Sequence, residues 1–250
     1  MEDLQILNNL EKEVYKDKSA LSEWSQNYLH EGNKQRYFHD LRLIEGHYSS
    51  GKILEIGSAP YHLTYILSKK GYDITGIDIS PERQAAFISG NKLNIIKCDI
   101  ESEPLPFEDN AFHYIIFNEI FEHLRINPIQ TLREINRVLH PDGILTLSTP
   151  NLYSVRNIVN FLLGNGIDDP YEEFLKLETI QHMGHVREYS VRQVKEFLEK
   201  TGFINIKTQR RSFGRLKGLW RPFNFIRTVI PGVHALQIHT CNKAPSHNIH

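Results

Sequence analysis

The sequence predicts an α/β protein with a Rossmann-like, doubly wound sheet of seven strands, mostly parallel and with an antiparallel last strand. Short apolar segments typical of strands alternate along the chain with segments of helical spacing, and short connections join them. This alternation favours parallel strands joined by helices. The segment Phe112–Phe117 is nearly all apolar, which is typical of a strand covered on both faces.

Seven apolar segments predict the strands, and turn residues flank several of these segments. In chain order they are Lys52–Ile56, Tyr72–Ile77, Leu93–Lys97, Phe112–Phe117, Ile144–Ser148, Phe203–Thr208 and His234–Cys241. Gly57 closes the first strand, and Pro141-Asp142-Gly143 predicts a turn before the fifth.

Segments of helical spacing fill the intervals. The predicted helices are Leu21–Leu29, Gln35–His47, Leu63–Lys70, one that begins at Ser80-Pro81, Pro128–Leu139 and Val191–Lys200. We therefore expect a helical N-terminal cap at 1–50 and a sheet domain at 51–242. Within that domain the alternation breaks twice, which predicts a lid insertion at 152–190 and a basic segment at 207–233. Residues 243–250 form a tail.

The formal net charge of the 250 residues is -1, but it is unevenly distributed. Residues 1–199 hold all 30 acidic residues and 20 basic ones, whereas residues 200–250 hold nine basic residues and no acidic one. A near-neutral chain is not expected to coat nucleic acid with its whole surface. Two cysteines make a disulfide framework implausible, and a polar N-terminus without long apolar runs predicts a cytoplasmic protein.

Residues suited to ligand binding follow the first four predicted strands, where such sheets bind their ligands. These residues are Gly57, Asp78, Asp99 and Asn118. A glycine after a strand lets the backbone approach a ligand, and an acid roughly 20 residues later can bind both hydroxyls of a ribose. Ala59 and Tyr61 replace the second and third glycines of a dinucleotide motif, which counts against NAD.

Five segments that contain these residues resemble the class I S-adenosylmethionine-dependent methyltransferases in order and spacing. They are LEIGSAP (54–60), GIDIS (76–80), KCDIESEPLPFEDNAFHYIIFNEIFEHL (97–124), PDGILTLSTPN (141–151) and HVREYSVRQVKEFLEKTGF (185–203). The resemblance covers roughly residues 50–242 and includes bacterial enzymes that act on glycans and natural products. It implies a methyltransferase with S-adenosyl-L-methionine as its cofactor.

The resemblance also implies which residues bind the cofactor. They are Glu55, Gly57, Ser58, Ala59, Asp78, Ile79, Asp99, Ile100 and Asn118. Gly57 and its neighbours would contact the methionine part, and Glu55 would support that turn and the amino group. Asp78 would hold the ribose hydroxyls, Asp99 would bond the adenine amino group beside Ile100, and Asn118 would line the methionine end.

Residues Glu119, Glu122 and His123, together with His185, are the candidates for chemistry. If the ExxEH stretch is helical, its three residues share one face. One interpretation is a divalent-metal site of all four residues that activates an acceptor hydroxyl, as in small-RNA 2′-O-methyltransferases and quinone-pathway O-methyltransferases with a similar ExxEH run. The others are catalysis by Glu122, His123 and His185 without a metal, with a histidine as general base, and a structural role.

Residues 207–227 combine seven basic residues with aromatic and aliphatic ones, which indicates an anionic acceptor or membrane surface. We therefore expect O-methylation of a small molecule or sugar, anionic or lipid-linked, with peripheral membrane contact through this segment. Nucleic acid is disfavoured because the rest of the chain is acidic. The alternatives are an RNA 2′-O-methyltransferase and a non-catalytic cofactor-binding partner subunit; the oligomeric state is left open.

Overall fold

The computed structural model describes residues 2–19, 21–180, 184–214, 217–221 and 223–245. Parts of four predicted segments therefore lie outside the described residues. They are 1 and 20 of the N-terminal cap, 181–183 of the lid insertion, 215, 216 and 222 of the basic segment, and 246–250 of the tail.

Three helices precede the first strand, and helices and strands then alternate over most of the described chain. The elements up to the fourth strand are α1 (Glu2–Lys16), α2 (Ser22–Asn27), α3 (Glu31–His47), β1 (Lys52–Ile56), α4 (His62–Lys69), β2 (Asp73–Asp78), α5 (Ala85–Asn91), β3 (Ile95–Lys97) and β4 (Phe112–Asn118). It continues with α6 (Pro128–Val138), β5 (Leu139–Pro150), α7 (Val155–Leu162), α8 (Pro170–Ile180), α9 (Val191–Lys200), β6 (Phe203–Arg211), α10 (Phe223–Val229) and β7 (Leu236–Lys243).

Within the described residues the strands form one seven-stranded sheet of order β3-β2-β1-β4-β5-β7-β6. The pairs β1–β2, β1–β4 and β2–β3 are parallel, and β6–β7 is antiparallel. The chain moves from β1 outward to β3 and then returns to β4 on the other side of β1, so the strand order reverses between β1 and β4. The predicted doubly wound sheet with an antiparallel last strand is confirmed.

The chain divides into two compact units, which are described separately. The first unit comprises Met1–Ile116 and Arg137–Ile144, and the second unit comprises Phe117–Asn136 and Leu145–His250.

The first unit packs its N-terminal helices against the sheet through an apolar core. One face of α1 is buried because apolar residues recur at helical spacing, at Ile6, Leu7, Leu10 and Val14. They belong to the same core as Ile53 of β1 and Ile66 of α4.

The buried ring of His62 joins α4 to α2 and α3 within the first unit. Its Nε2 lies 2.9 Å from Ser25 Oγ, and its Nδ1 lies 3.0 Å from Tyr37 Oη. Burial lowers the pKa of His62 to about 3, so the ring is neutral at physiological pH. Its two hydroxyl partners satisfy both nitrogens in that neutral state.

Strand β5 differs from the sequence prediction. It runs from Leu139 through the proposed Pro141-Asp142-Gly143 turn, so the turn prediction is wrong. Leu139 is buried like Leu145, whereas Pro141 and Asp142 are exposed. Proline is tolerated in a strand where its missing N–H leaves no buried partner unsatisfied.

The insertion at 152–190 in the second unit has its two ends joined. Leu152 N–H donates to the Tyr189 carbonyl over 3.1 Å, and Asn151 forms a parallel bridge with Tyr189. Helices α7 and α8 therefore belong to a loop that closes on itself.

Candidate active site

The turn after β1 is fastened to the end of β2. The N–H groups of Gly57 and Ser58 both donate to the Ile77 carbonyl, over 2.9 and 3.0 Å. Gly57 has φ of +68°, a conformation that favours glycine. Tyr61 also takes the left-handed conformation, with φ of +66°, and its side chain is buried. A non-glycine residue therefore adopts left-handed geometry at a position where the motif usually has glycine.

Gly76 in β2 allows this turn to approach closely. A Cβ at this position would lie 2.7 Å from Ser58 Oγ and 2.6 Å from Ile95 Cδ1. Contacts this short force neighbouring atoms to move. Sequence reasoning placed Gly76 in a motif without giving it a role, although a glycine inside a strand is itself a signal of close approach.

The carboxylate of Asp78 holds two loops of the first unit. Its Oδ2 accepts a hydrogen bond from Ala59 N–H, and its Oδ1 accepts one from Ser80 N–H, both over 3.1 Å. Asp78 is half-buried, and the neighbouring Ile79 is exposed. Because each carboxylate oxygen has further lone pairs, Asp78 retains the capacity to accept two hydroxyl groups.

Glu55 is a buried acid on β1. Its Oε2 accepts a hydrogen bond from the Thr64 hydroxyl on α4. Burial is the main cause that raises the pKa of Glu55 to about 8, and the negative charge of Asp40 contributes in the same direction. Glu55 therefore joins β1 to α4, the two elements that flank the glycine turn.

Asp99 organises the turn that follows β3. Its Oδ1 accepts from Glu101 N–H over 3.1 Å, and its Oδ2 accepts from the Ser102 hydroxyl over 2.7 Å. Asp99 and Ile100 are both half-buried. Glu55 thus lies in β1, the other predicted cofactor residues of the first unit lie at or just after the ends of β1, β2 and β3, and Asn118 ends β4 in the second unit.

The ExxEH stretch of the second unit is not a regular helix. Glu119 has φ of +56°, its N–H donates to the Ser148 carbonyl over 2.9 Å, and its carboxylate accepts from Ser148 Oγ over 3.1 Å. A single 3-10 turn then covers Phe121–His123. The shared helical face that the spacing suggested is therefore wrong, although Glu122 and His123 still meet.

Glu122 is completely buried, and its two carboxylate oxygens differ. Oε2 accepts from the Thr149 hydroxyl over 2.8 Å, whereas Oε1 has no hydrogen-bond partner among the described residues. Oε1 lies 4.0 Å from Nε2 of His123 and 3.9 Å from Nε2 of His185. Burial raises the pKa of Glu122, and the negative charge of Glu119 raises it further.

Hydrogen bonds orient the His123 ring and its neighbours in the chain. His123 Nδ1 lies 3.0 Å from the Gly184 carbonyl, which only accepts, so Nδ1 carries a proton, and Nε2 is the ring nitrogen on the side of Glu122. The N–H groups of Val186 and Arg187 donate to the Glu122 carbonyl over 2.9 and 3.2 Å. These bonds fix the HVREYS segment against the ExxEH turn.

His185 lies between acidic groups on both sides of its ring. Nδ1 is 3.6 Å from Asp168 Oδ2 and 3.8 Å from Glu188 Oε1. The Glu188 carboxylate is the main cause that raises the pKa of His185 to about 9. Glu188 in turn accepts from Asn157 Nδ2 over 2.6 Å. Sequence reasoning missed Asp168, Glu188 and Asn157, and only the three-residue spacing of His185 and Glu188 could have suggested one of them.

Three residues can offer ligand atoms to one cation: Glu122, His123 and His185. Two ligands on a cation with bonds of about 2.1 Å lie no more than about 4.2 Å apart, and both glutamate–histidine separations fall within that limit. Asp168, His185 and Glu188 form a second such group through the other ring nitrogen of His185. Glu119 belongs to neither group.

Tyr189 and Arg187 have different surroundings from the histidines. Tyr189 is buried against the Phe121 ring, with centroids 4.7 Å apart, and the Arg187 guanidinium lies 5.4 Å from the Tyr189 ring centre. Tyr189 therefore packs the end of the insertion.

A sheet of this strand order, with acids near the ends of successive strands, is the fold of the class I S-adenosylmethionine-dependent methyltransferases. A sequence model described as a methyltransferase domain matches residues 28–208, and the chain belongs to this family. The chain therefore carries a methyltransferase domain. Among described residues, no helix has the length and apolar character needed to cross a bilayer.

Similar proteins extend this assignment. A SAM-dependent methyltransferase from Archaeoglobus fulgidus has the same fold, with a TM-score of 0.59 and 16% identity over 84% of this chain and 94% of its own. An uncharacterized protein of Methanocaldococcus jannaschii is 35% identical over 45% of this chain and 43% of its own length. A ubiquinone biosynthesis O-methyltransferase of Aliivibrio fischeri is 28% identical over 54% and 56%. The matches span about half the length of these two relatives.

Proposed function

We propose that this methyltransferase methylates an oxygen atom of a small molecule or sugar, and that Glu122, His123 and His185 bind and deprotonate the acceptor hydroxyl. The observation that carries this proposal is the buried, unpartnered Oε1 of Glu122 with the Nε2 atoms of two histidines beside it. The cluster follows β4, one of the two strands at which the strand order reverses, and ligands of such sheets bind near that point.

The cofactor residues remain those of the sequence prediction: Glu55, Gly57, Ser58, Ala59, Asp78, Ile79, Asp99, Ile100 and Asn118. The chemistry of the first unit fits them, since Asp78 and Asp99 are half-buried carboxylates at the ends of adjacent strands. In this proposal Asp78 accepts the ribose hydroxyls while it keeps the Ala59 turn in place. The exposed Ile79 beside it offers an apolar surface.

The same cluster is suited to a divalent cation. Oε1 of Glu122 has no hydrogen-bond partner in the part of the chain that the structure describes, and the Gly184 carbonyl holds the protonated nitrogen of His123. Metal ligands in proteins are commonly oriented in this way, by a hydrogen bond to a group that does not itself bind the metal. Mixed carboxylate and imidazole ligands favour manganese, iron or zinc over magnesium. A bound cation would lower the pKa of an acceptor hydroxyl. Glu119, which the sequence prediction included, would support the site from outside this group.

The residues of the chain have a limited task in the reaction. Methyl transfer is an in-line displacement in which the cofactor carries its own leaving group, so the protein must align the acceptor oxygen and accept its proton. His123 suits this role because its Nδ1 proton is committed to Gly184, which leaves Nε2 as a base. His185 is charged at neutral pH and would stabilise an oxyanion until it loses that proton.

The acceptor in this proposal is anionic. Exposed bases in 207–227, namely Lys207, Arg210, Arg211, Lys217 and Arg221, offer it charge. An RNA 2′-O-methyltransferase would use the same cluster, but acidic residues dominate residues 1–199. A non-catalytic partner subunit would have no use for an unpartnered buried carboxylate oxygen, which is costly to maintain.

The test uses S-adenosylmethionine labelled with carbon-13 in its methyl group. The full chain is incubated with a metabolite extract of its source cells and, separately, with total RNA from them. We expect new O-methyl carbon resonances in the extract, absent with the Glu122→Gln variant, which should still bind the cofactor in calorimetry. Label on nitrogen would contradict O-methylation, label in RNA would favour the alternative, and no transfer with intact cofactor binding would favour the partner subunit.

A further inference from the structure

Two segments of the second unit expose large apolar side chains and carry no acidic residue. One is α7 with the residues after it, 155–167, and the other is 217–235. Their exposed apolar residues are Phe161, Leu162, Leu163, Phe225, Val229 and Ile230, which we call the apolar face. Leu162 is 81% exposed and Phe225 is 72% exposed, far more than core-forming residues.

Contacts within the second unit hold these two segments together. Helices α7 and α10 touch each other. Asn151, just before α7, donates from Nδ2 to the carbonyls of Gly232 and His234, each over 2.9 Å, and its N–H donates to the Ala235 carbonyl over 2.8 Å. The apolar residues of both segments therefore belong to one region of the surface.

Basic side chains accompany the apolar ones in the sequence. Phe225 and Val229 of α10 are four residues apart and both are exposed, and the exposed Arg221 precedes this helix. Lys217 and Arg156, also exposed, add charge from the neighbouring turn and from α7. No acidic residue in either segment neutralises these charges.

We propose that the apolar face is a docking surface for an anionic lipid bilayer. Exposed leucine, valine and phenylalanine side chains enter the boundary between headgroups and acyl chains, while the arginines and lysine pair with lipid phosphates. Soluble proteins seldom leave such a patch uncovered. Docking goes beyond methyl transfer and would bring the enzyme to acceptors that reside at a membrane surface.

Other occupants fit the face less well. Pairing of two copies about a two-fold axis would bring the same arginines towards one another without acids to balance them. Single-stranded RNA is recognised by stacking on aromatic rings, whereas most exposed apolar residues here are aliphatic.

The experiment is co-sedimentation of the full chain with large unilamellar vesicles. One set is pure phosphatidylcholine, and the other is an equimolar mixture of phosphatidylcholine and phosphatidylglycerol. The paired variant Leu162→Ser/Leu163→Ser removes apolar contact, and Arg221→Gln removes one charge. Leu4→Ser is the matched control, because Leu4 is an exposed leucine of α1 outside this surface.

We expect the wild-type chain to sediment with the mixed vesicles, to bind pure phosphatidylcholine weakly, and to be released by salt. The paired serine variant should bind at least about tenfold more weakly, the scale of two leucines kept out of the apolar layer. Arg221→Gln should lose affinity for mixed vesicles only, and Leu4→Ser should behave as wild type.

Three results would overturn the proposal. They are a wild-type chain that stays in solution with both vesicle types, equal losses for Leu4→Ser and the paired variant, and a wild-type dimer in sedimentation equilibrium that the paired variant abolishes. Cofactor binding by each variant, measured separately, reports whether it is folded. Vesicle binding needs no methyl transfer, so its outcome is independent of the proposed reaction.

Discussion

Glu188 Oε1 lies 3.8 Å from His185 Nδ1, on the side of the ring opposite to Glu122. The imidazole is therefore held between two carboxyl groups that contact different nitrogens. Asn157 fixes Glu188 from behind, so the orientation of the ring depends on residues that touch neither acceptor nor cofactor in the proposed reaction.

Removal of the Glu188 charge should lower the pKa of His185. We expect Glu188→Gln to move it from about 9 towards the ordinary 6.5, measured by an NMR titration of the histidine ring. The raised pKa means that the charged pair contributes stability below about pH 6.5 and loses it as the pH rises through about 9. Glu172→Gln, at an exposed position of α8, should leave the titration unchanged. An unaltered His185 curve in Glu188→Gln would refute this coupling.

Binding of a cation should depend on pH because His185 must release its proton first. We expect Mn²⁺ affinity, measured by calorimetry, to rise as the pH increases from 6.5 to about 9, with proton release to the buffer. Glu122→Gln should weaken Mn²⁺ binding about 10- to 100-fold or more. Glu172→Gln, at an exposed position of α8, is the control and should leave Mn²⁺ binding unchanged. Equal effects of the two substitutions would contradict the assignment.

Cofactor affinity should depend strongly on Asp78. We expect Asp78→Ala to weaken S-adenosylmethionine binding at least about tenfold in calorimetry, the scale of losing a charge-assisted hydrogen-bond pair. Asp73→Ala, at the exposed opposite end of the same strand, should bind normally. Because Asp78 also holds the Ala59 turn, a thermal melt is needed to confirm that the variant is folded. Wild-type affinity in a folded Asp78→Ala variant would exclude Asp78 from the site.

A methyl group at Gly76 should displace the glycine turn. We expect Gly76→Ala to lower the free energy of unfolding by about 1–3 kcal/mol and to weaken cofactor binding, because the new Cβ would overlap Ser58 and Ile95. Gly90→Ala is the matched control, since nothing lies within 4 Å of its Cβ, and its helical position should gain about 0.5–1 kcal/mol. Denaturant titration measures both changes. Similar stabilities for the two variants would show that the turn adapts.

The buried Glu55 should make stability fall as the pH rises. Its folded pKa of about 8 exceeds the ordinary 4.5, so the protonated form favours folding, and stability is lost between about pH 4.5 and 8. We expect Glu55→Gln to remove this fall in the free energy of unfolding, which is on the order of a few kcal/mol across that pH range. Chemical denaturation at several pH values measures it. A parallel decline in both proteins would show that Glu55 is not the titrating group.

The sequence predicted the positions of site residues well wherever a residue type is tied to the local backbone structure. Gly57, Asp78 and Asp99 lie at or just after the ends of strands because apolar runs end there, and the doubly wound, mostly parallel sheet followed from the alternation of elements. The chemistry at His185 was less accessible. Glu188 is only three residues from His185, but Asp168 approaches the ring only after the chain has folded back on itself, and no local spacing predicts Asn157 next to Glu188.

The ExxEH stretch shows why spacing alone can mislead. Glu119 takes a left-handed conformation directly after β4, so no helix forms to give the three residues a common face. Glu122 meets His185 through backbone hydrogen bonds from Val186 and Arg187 to its carbonyl. The spacing of side chains along the sequence does not predict such backbone hydrogen bonds.

The joined ends of the insertion at 152–190 have a consequence for how this protein could diversify. Since Leu152 and Tyr189 are hydrogen-bonded, the chain leaves the sheet and returns to it at nearly the same point. The segment between them can change in length or sequence without altering the register of the strands. His185 and Glu188 lie in the returning arm, next to the closure. A new acceptor preference could then arise in α8, while Asn157 of α7 continues to hold Glu188 beside His185.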